Sequence, residues 1–111
     1  MTSGLIPGLY LVKHTSFVNR EDNPDMPYKL EIWMRPGLQN VLRLNFMFRD
    51  QKTTEEEIVI RGETLEAIHE YLKRNARNIS GRFNRALITG PGTDRSIENA
   101  DELREYLNSL T

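Results

Sequence analysis

Hydrophobic and polar residues alternate along the first half of the chain with a period of two, which is the spacing of a half-buried β-strand. The segments with this pattern, or with a looser version of it, are 9–18, 28–35, 42–49 and 57–61. Prolines and carboxylates without periodicity fill residues 19–27, and Pro36-Gly37 supplies a turn in the connection that runs to Asn40. The sequence therefore predicts an antiparallel meander of four strands whose Leu, Ile and Phe side chains lie on the inner face.

After Gly62 the hydrophobic spacing changes to that of an amphipathic helix. Apolar residues recur every three or four positions from Leu65 to Ile79, so they form one face over about four turns. Acidic residues stand near the start of this segment and Lys and Arg near its end, where the helix dipole favours each charge. Ser80-Gly81 is predicted to end the helix, with the glycine in the left-handed cap conformation.

Two further elements follow this helix. Residues 83–89 predict a short fifth strand. Gly90-Pro91-Gly92 predicts an ordinary turn and not a phosphate-binding loop, because the Gly-Lys-Ser/Thr end of such a loop is missing. Asn99 is predicted to cap a last helix, with Glu102 three residues further on as in a capping box. The apolar face of that helix consists of Ala100, Leu103, Leu107 and Leu110.

The order of the elements is β-β-β-β-α-β-α, which predicts one α+β domain over residues 1–111, an antiparallel four- to five-stranded meander sheet with two helices packed on one face. A chain of 111 residues is long enough for one modest core. The absence of Cys excludes disulfides and thiolate metal sites and fits a reducing compartment. No apolar run approaches the length that spans a bilayer. We therefore expect a soluble cytoplasmic protein that does not enter a membrane and needs no cofactor.

The charge of the chain is strongly polarised although its net value is only −1. Residues 73–95 contain six of the 15 Lys and Arg residues and one of the 16 Asp and Glu residues, a local charge of +5. A local positive field attracts anions whatever the net charge of a protein. The low net charge nevertheless argues against a strong grip on duplex DNA, for which an overall basic domain is expected.

Four arginines of this segment, with the Phe and Asn that stand between two of them, are candidate ligand contacts. The cations at 73–77 suit the C-terminus of a helix, whereas those at 82, 85 and 95 have no such local reason. Arginine holds phosphate bidentately, a phenyl ring stacks on a base, and an amide recognises a base edge. The residues predicted to contact a ligand here are Arg77, Arg82, Phe83, Asn84, Arg85 and Arg95.

The outer face of the predicted sheet carries a second set of candidates. If the apolar side chains point inward, five cations and two carboxylates point outward, with Trp33, the only Trp of the chain, between them. Cations beside an aromatic ring are the ingredients of single-strand nucleic acid binding, where each stacked base contributes about 1–3 kcal/mol. Trp33 and Arg43 are the ligand contacts predicted on this face. The alternative is an ordinary solvent-exposed face on which another part of the chain or a partner covers the Trp.

Catalytic groups do not stand out in the sequence. The two histidines, His14 and His69, are predicted to be half-buried residues and not catalysts. The acidic residues lack the spacing of metal ligands. Glu55-Glu56-Glu57 is interpreted as a solvated turn and strand start that keeps a sheet edge soluble.

Three functions remain open at this point. The first is non-enzymatic binding of an anionic phosphorylated ligand, a single-stranded nucleic acid or a nucleotide, through the basic Arg/Asn/Phe segment. The second is a small protein–protein interaction module, a regulator or inhibitor that acts as a homo-oligomer or on a partner protein. The third is a small enzyme, which ranks last because groups for general acid–base catalysis are few.

Overall fold

The structure, a computed structural model, describes residues 6–15, 18–35 and 55–110. Its strands are β1 (Leu9–His14), β2 (Val18–Asn19), β3 (Tyr28–Met34), β4 (Glu56–Gly62), β5 (Phe83–Gly90) and β6 (Thr93–Ile97). Its helices are α1 (Leu65–Arg74), α2 (Ala76–Ser80) and α3 (Ala100–Asn108). The strand predicted over 42–49, and Arg43 with it, lies outside the described residues.

The described strands form one antiparallel sheet with the order β2-β1-β4-β3-β5-β6. Strands that follow each other in the chain pair as β1–β2, β3–β4 and β5–β6, and the β1–β4 and β3–β5 pairings join them. The fold is α+β, with an open antiparallel sheet and helices, as the sequence predicts. β3 and β4 lie at the centre of the described sheet, so the acidic run Glu55-Glu56-Glu57, in which β4 begins, belongs to a central strand and not to an edge.

The hydrophobic core lies between the helices and one face of the sheet. On this face Leu30, Ile32 and Met34 of β3 are fully buried. Leu30 lies directly opposite Ile60 of β4 on one side and Ile88 of β5 on the other. The helices complete the same cluster with Ile68, Leu72, Ile79 and Leu103. Burial of one such side chain stabilises the fold by about 1.5–3 kcal/mol. Over the described residues, the period-two and helical patterns of the sequence therefore identify the core, whereas the residues predicted to contribute from 42–49 lie outside the description.

Side-chain caps fix where α1 and α3 begin. The Thr64 hydroxyl accepts a hydrogen bond from the Ala67 amide at 3.1 Å, and the Asn99 side chain accepts one from the Glu102 amide at 2.9 Å. A cap of this kind contributes about 1 kcal/mol. The predicted Asn99 cap is confirmed, although the Glu102 carboxylate accepts its return bond from the amide of Glu98.

The first predicted helix is divided in two. Asn75 ends α1 and precedes α2, and its side-chain amide donates to the Tyr71 carbonyl at 2.9 Å. Such local side-chain bonds compete with the helical backbone ladder. Gly81 follows α2 with a φ of −68°, which is right-handed, so the predicted left-handed cap is wrong.

β6 has no counterpart in the sequence prediction, because its only apolar residue is Ile97 and no alternation marks it. It pairs antiparallel with β5 across the predicted turn, whose Gly90 and Gly92 have φ values of 154° and 69°. The turn is therefore where the sequence places it, but it connects two strands.

Candidate functional site

The three carboxylates around the start of β4 each lie near a cation from another part of the chain. The pairs, with their N–O distances, are Glu55 and Arg85 (3.9 Å), Glu56 and Arg82 (2.9 Å), and Glu57 and Lys13 (2.9 Å). The predicted strand start in this run is confirmed, because β4 begins at Glu56, but the prediction that the run is solvated is wrong for Glu56, whose side chain is only 1% exposed. Two of the cations come from the basic segment 73–95, so part of its charge is neutralised within the molecule.

Glu56 is a buried carboxylate held between His14 and Arg82. Its Oε2 lies 2.6 Å from His14 Nε2, and its Oε1 accepts a hydrogen bond from Arg82 Nη1 at 2.9 Å. Burial of a carboxylate is costly unless the group is paired and hydrogen-bonded, and these two contacts provide both. Arg82 also donates to the Arg35 carbonyl at 3.0 Å, which ties the start of β5 to the end of β3. Arg82 therefore has a structural role that its position in the sequence does not reveal.

Arg85 and Trp33 form a stacked pair on the outer face of the sheet, opposite the helices. They are directly opposite each other in β5 and β3, and the guanidinium carbon lies 4.0 Å from the centroid of the Trp ring. A cation–π contact at an exposed site contributes about 0.5–1 kcal/mol. It supplies the cover that a Trp on a polar face needs. The neighbouring Asn84 amide donates to Glu55 at 3.0 Å. Trp33, Asn84 and Arg85, all predicted ligand contacts, therefore contact other residues of the protein.

Phe83 is a core residue, and its ring is not available to stack on a base. Its exposed fraction is 8% and it packs in the central cluster. In a regular strand Phe83 and Arg85 would share a face. A β-bulge prevents this, because Trp33 opposes Arg85 while Met34 opposes Phe83, and Asn84 is the extra residue between them. This one-residue change of register turns Phe83, a predicted ligand contact, towards the core.

The remaining predicted contacts, Arg95 and Arg77, lie apart from the Trp33–Arg85 pair. Arg95 in β6 lies on the helix side of the sheet, with its guanidinium carbon 4.9 Å from the centroid of the Tyr106 ring. The Tyr106 hydroxyl is 2.7 Å from His69 Nε2, and burial lowers the pKa of His69 and raises that of Tyr106. Arg77 is exposed in α2, and its side chain bonds to none of the described residues. Residues 73–95 therefore direct their cations to both sides of the sheet and do not form one surface.

The outer face of the sheet is electrically balanced over the described strands. Each cation that these strands direct to this face pairs with a carboxylate: Lys13 with Glu57, Lys29 with Glu31, Arg61 with Asp22, and Arg85 with Glu55. The Arg61–Asp22 pair is bidentate, with both N–O distances 2.9 Å. The Arg61 guanidinium lowers the pKa of Asp22 to about 2. This balance weakens the case for a nucleic acid strand along the described part of the face.

An open cleft of about 760 Å³ lies between β1 and the C-terminal end of α1. Its size is within the range of small-molecule sites. α1 packs over β3 and β4, which leaves the inner side of β1 as one wall. The described residues that line the cleft are Ile6, Leu9, Tyr10, Leu11, His14, Arg20, Ile60, Tyr71, Arg74 and Asn75.

The described lining of the cleft combines apolar residues with two arginines and a histidine, and it contains no carboxylate. The guanidinium carbon of Arg20 lies 5.7 Å from the centroid of the Tyr10 ring. Arg74 stands in the last turn of α1, where its Nε pairs with Glu70 at 2.9 Å. His14 also lines the cleft, and its Nε2 contacts the Glu56 carboxylate.

The loop that carries Arg20 is fastened to the sheet at several points. The Arg20 amide donates to the Val12 carbonyl at 2.7 Å, and the Tyr10 hydroxyl donates to the Glu21 carbonyl at 2.8 Å. The Asp22–Arg61 pair fixes the next residue of the loop. These bonds hold the backbone of Arg20 beside the cleft.

Sequence reasoning missed most of the residues that line this cleft. Arg20 stands in an acidic, proline-containing loop with no periodicity, so nothing local connects it to the end of α1. Glu56 did carry a signal, because the period of two, extended back from Ile60 and Ile58, places it on the inner face. The half-buried positions predicted for His14 and His69 are confirmed.

Comparisons of the chain with protein-family models, with curated proteins and with solved structures found no match. Within residues 6–15, 18–35 and 55–110, no helix is long and apolar enough to cross a membrane. The function is therefore inferred from the geometry and charge of the site alone.

Proposed function

We propose that this protein is a cytoplasmic, non-enzymatic binding protein for a phosphorylated small molecule of the nucleotide class. The proposed binding site is the cleft between β1 and α1. The observation that carries the proposal is the charge of its described lining, which contains two arginines and a histidine and no carboxylate. The absence of Cys from the chain fits the reducing compartment of the cytoplasm.

The two arginines suit the phosphate end of such a ligand. Arg20 and Arg74 line the cleft from different elements, a loop and a helix end, and we infer that the phosphate binds between them. The guanidinium group binds phosphate oxygens in a bidentate, charge-assisted manner. Glu70 already pairs with Arg74, and a phosphate would compete with that exposed carboxylate for the same guanidinium.

Another part of the cleft lining suits the uncharged end of a nucleotide. Leu9, Leu11 and Ile60 give it an apolar surface, and the Tyr71 ring stands beside them. Burial raises the pKa of Tyr71, in keeping with an apolar environment. Ligand sites typically combine such a surface with a few polar groups that fix orientation.

A nucleotide fits the molecule better than a nucleic acid strand. A strand needs an extended row of uncompensated cations, whereas each cation that the described strands direct to the outer face is paired with a carboxylate. A single phosphate group needs only a few well-placed donors, which the cleft supplies.

Calorimetric titration with the four ribonucleoside monophosphates tests the proposal, with adenosine as the ligand that lacks phosphate. We expect saturable binding of at least one monophosphate and a much weaker response to adenosine. Arg20→Gln and Arg74→Gln should each weaken binding by about 10- to 100-fold, because a hydrogen bond to a charged group contributes about 1.5–3 kcal/mol.

Two further variants serve as matched controls. Lys73→Gln removes a cation that pairs with the same Glu70 but does not line the cleft, and Arg77→Gln removes an exposed cation of the next helix. Both should bind like the wild type. Equal losses of affinity in the control variants and the cleft variants would refute the proposal. The absence of saturable binding of any monophosphate would also refute it.

A further inference from the structure

His14 connects the cleft to a buried chain of charged groups. Its side chain is 28% exposed and lines the cleft, while its Nε2 lies 2.6 Å from Oε2 of Glu56. The other oxygen of Glu56 accepts a hydrogen bond from Arg82 at 2.9 Å. Arg82, Glu56 and His14 therefore stand in series, with the imidazole nearest to the cleft.

This series favours the His14 tautomer that carries its proton on Nε2. The adjacent Arg82 guanidinium favours the ionised form of Glu56, and a carboxylate only accepts hydrogen bonds. His14 must then donate from Nε2, so a second proton on the ring produces an imidazolium with Glu56 as its counter-ion. The arrangement resembles the carboxylate–histidine pairs that orient functional imidazoles in proteins.

The charged groups of the described residues around His14 influence when that second proton is favoured. Arg20 from the loop and Arg74 from α1 share the cleft with His14 and oppose further positive charge there. On the other side of β1, Lys13 and Glu57 neutralise each other at 2.9 Å. A phosphate between the two arginines adds negative charge beside the imidazole, so its binding favours the imidazolium.

We propose that binding of a phosphate-bearing ligand in the cleft is coupled to uptake of a proton by His14, with Glu56 as the counter-ion and Arg82 as the residue that positions Glu56. The inference rests on the proposed function of the cleft. It assigns Arg82, a candidate ligand contact in the sequence, a role two side chains away from the ligand. Affinity should accordingly fall as the pH rises through the titration range of His14.

Proton NMR of the two histidine rings tests this coupling. The protein is titrated between about pH 5 and 8, where histidine changes charge, alone and with saturating adenosine monophosphate. We expect the midpoint of the His14 titration to move to higher pH by roughly one on binding, which corresponds to about tenfold tighter binding to the protonated form. His69 is the internal control, because its ring contacts Tyr106 and does not line the cleft.

A second probe distinguishes the titration of His14 from the titration of the ligand's own phosphate group. The phosphate group itself titrates near pH 6, so inorganic sulfate is used as a dianion whose charge is constant over this range. Sulfate should move the His14 midpoint in the same direction, and its affinity should become nearly independent of pH in His14→Gln. His69→Gln should keep the pH dependence of the wild type.

The contribution of the buried pair is tested by Glu56→Gln and Arg82→Gln, with Arg82→Lys as the conservative variant. Glu56→Gln removes the counter-ion, so the His14 midpoint should lie at lower pH than in the wild type both with and without the ligand. Arg82→Gln should also displace the midpoint, because Glu56 loses the contact that positions it, and Arg82→Lys should restore the wild-type value. If the Gln variants fail to fold, His14→Gln alone decides whether sulfate binding remains dependent on pH.

The outcomes distinguish the two proposals. Binding that depends on Arg20 and Arg74 without movement of the His14 midpoint would overturn the proton coupling and leave the proposed function standing. Absence of any cleft-dependent binding would overturn both. A His14 midpoint that is unchanged in Glu56→Gln would contradict the role assigned to the carboxylate.

Discussion

At the scale of single residues, Asp22 shows how one contact makes stability depend on pH. Its bidentate pair with Arg61 lowers the pKa of Asp22 from 3.8 to about 2. The unfolded chain then binds more protons than the folded one as the pH falls, so the pair stabilises the protein above about pH 4 and this contribution disappears towards pH 2.

We predict that Asp22→Asn removes this part of the pH dependence. The free energy of unfolding of the wild type should exceed that of the variant above pH 4, and the two should converge as the pH falls to about 2. Urea unfolding at a series of pH values measures the difference. Asp101→Asn removes an exposed carboxylate from a surface pair on α3 and should run parallel to the wild type. Parallel curves for Asp22→Asn as well would show that the Arg61 contact does not stabilise the fold.

Glu56 marks the limit of residue-level prediction from sequence. The alternation of β4 places it on the inner face, but a carboxylate at that position conflicts with the burial of Ile58 and Ile60 beside it. The conflict is resolved by Arg82 and His14, which lie 26 and 42 residues away along the chain. No local pattern carries that information, because the partners meet only once β1, β4 and the start of β5 are assembled.

At the scale of elements, the strands and helices with apolar periodicity were predictable and the irregularities between them were not. The core positions of β3 and α1 follow from the spacing of their apolar residues. The bulge at Asn84 does not, and it determines that Phe83 faces the core while Arg85 faces outward. A bulge depends on the pairing of two strands, so one strand alone cannot reveal it.

The β5–β6 turn gives a prediction at this scale. A Cβ at Gly90 would overlap the Tyr28 ring and lie 3.1 Å from the Pro27 carbonyl oxygen, so Gly90→Ala must displace the start of β3. We expect a loss of about 1–3 kcal/mol from overpacking, in addition to backbone strain at a φ of 154°. Chemical denaturation measures the change in the free energy of unfolding.

Gly92→Ala is the matched control for this turn. Its φ is also positive, at 69°, but no atom lies within 4 Å of the added Cβ. The loss should be limited to the cost of a left-handed conformation, about 1–2 kcal/mol. If both variants lost the same stability, backbone strain alone would explain the effect and close packing against Tyr28 would not.

At the scale of the whole molecule, the polarised charge of the sequence becomes a set of internal contacts. The +5 segment contacts the acidic run in which β4 begins, and this contact uses two arginines that would otherwise attract anions. The sequence indicates the polarity correctly, but the destination of each charge depends on the sheet order. The proposed anion site therefore contains Arg20 and Arg74, and not the arginines at 82 and 85.

This internal pairing predicts how stability responds to salt. The screening length falls from about 10 Å at 0.1 M to about 3 Å at 1 M, which weakens exposed ion pairs and affects buried ones less. Raising sodium chloride from about 0.05 M to about 0.5 M should lower the free energy of urea unfolding of the wild type. Glu55→Gln with Glu57→Gln removes two partly exposed pairs, each worth about 0.2–1 kcal/mol, and should reduce this salt effect.

The control for that measurement changes charge without breaking an ion pair. Glu105 is exposed on α3, and none of the described cations pairs with it, so Glu105→Gln should keep the salt response of the wild type. An unchanged salt dependence of the free energy of unfolding in the Glu55/Glu57 double variant would mean that these ion pairs contribute no net stability. The +5 segment would then remain electrostatically available to an external anion, and the preference for the cleft over the Arg82–Arg85 segment would lose its physical basis.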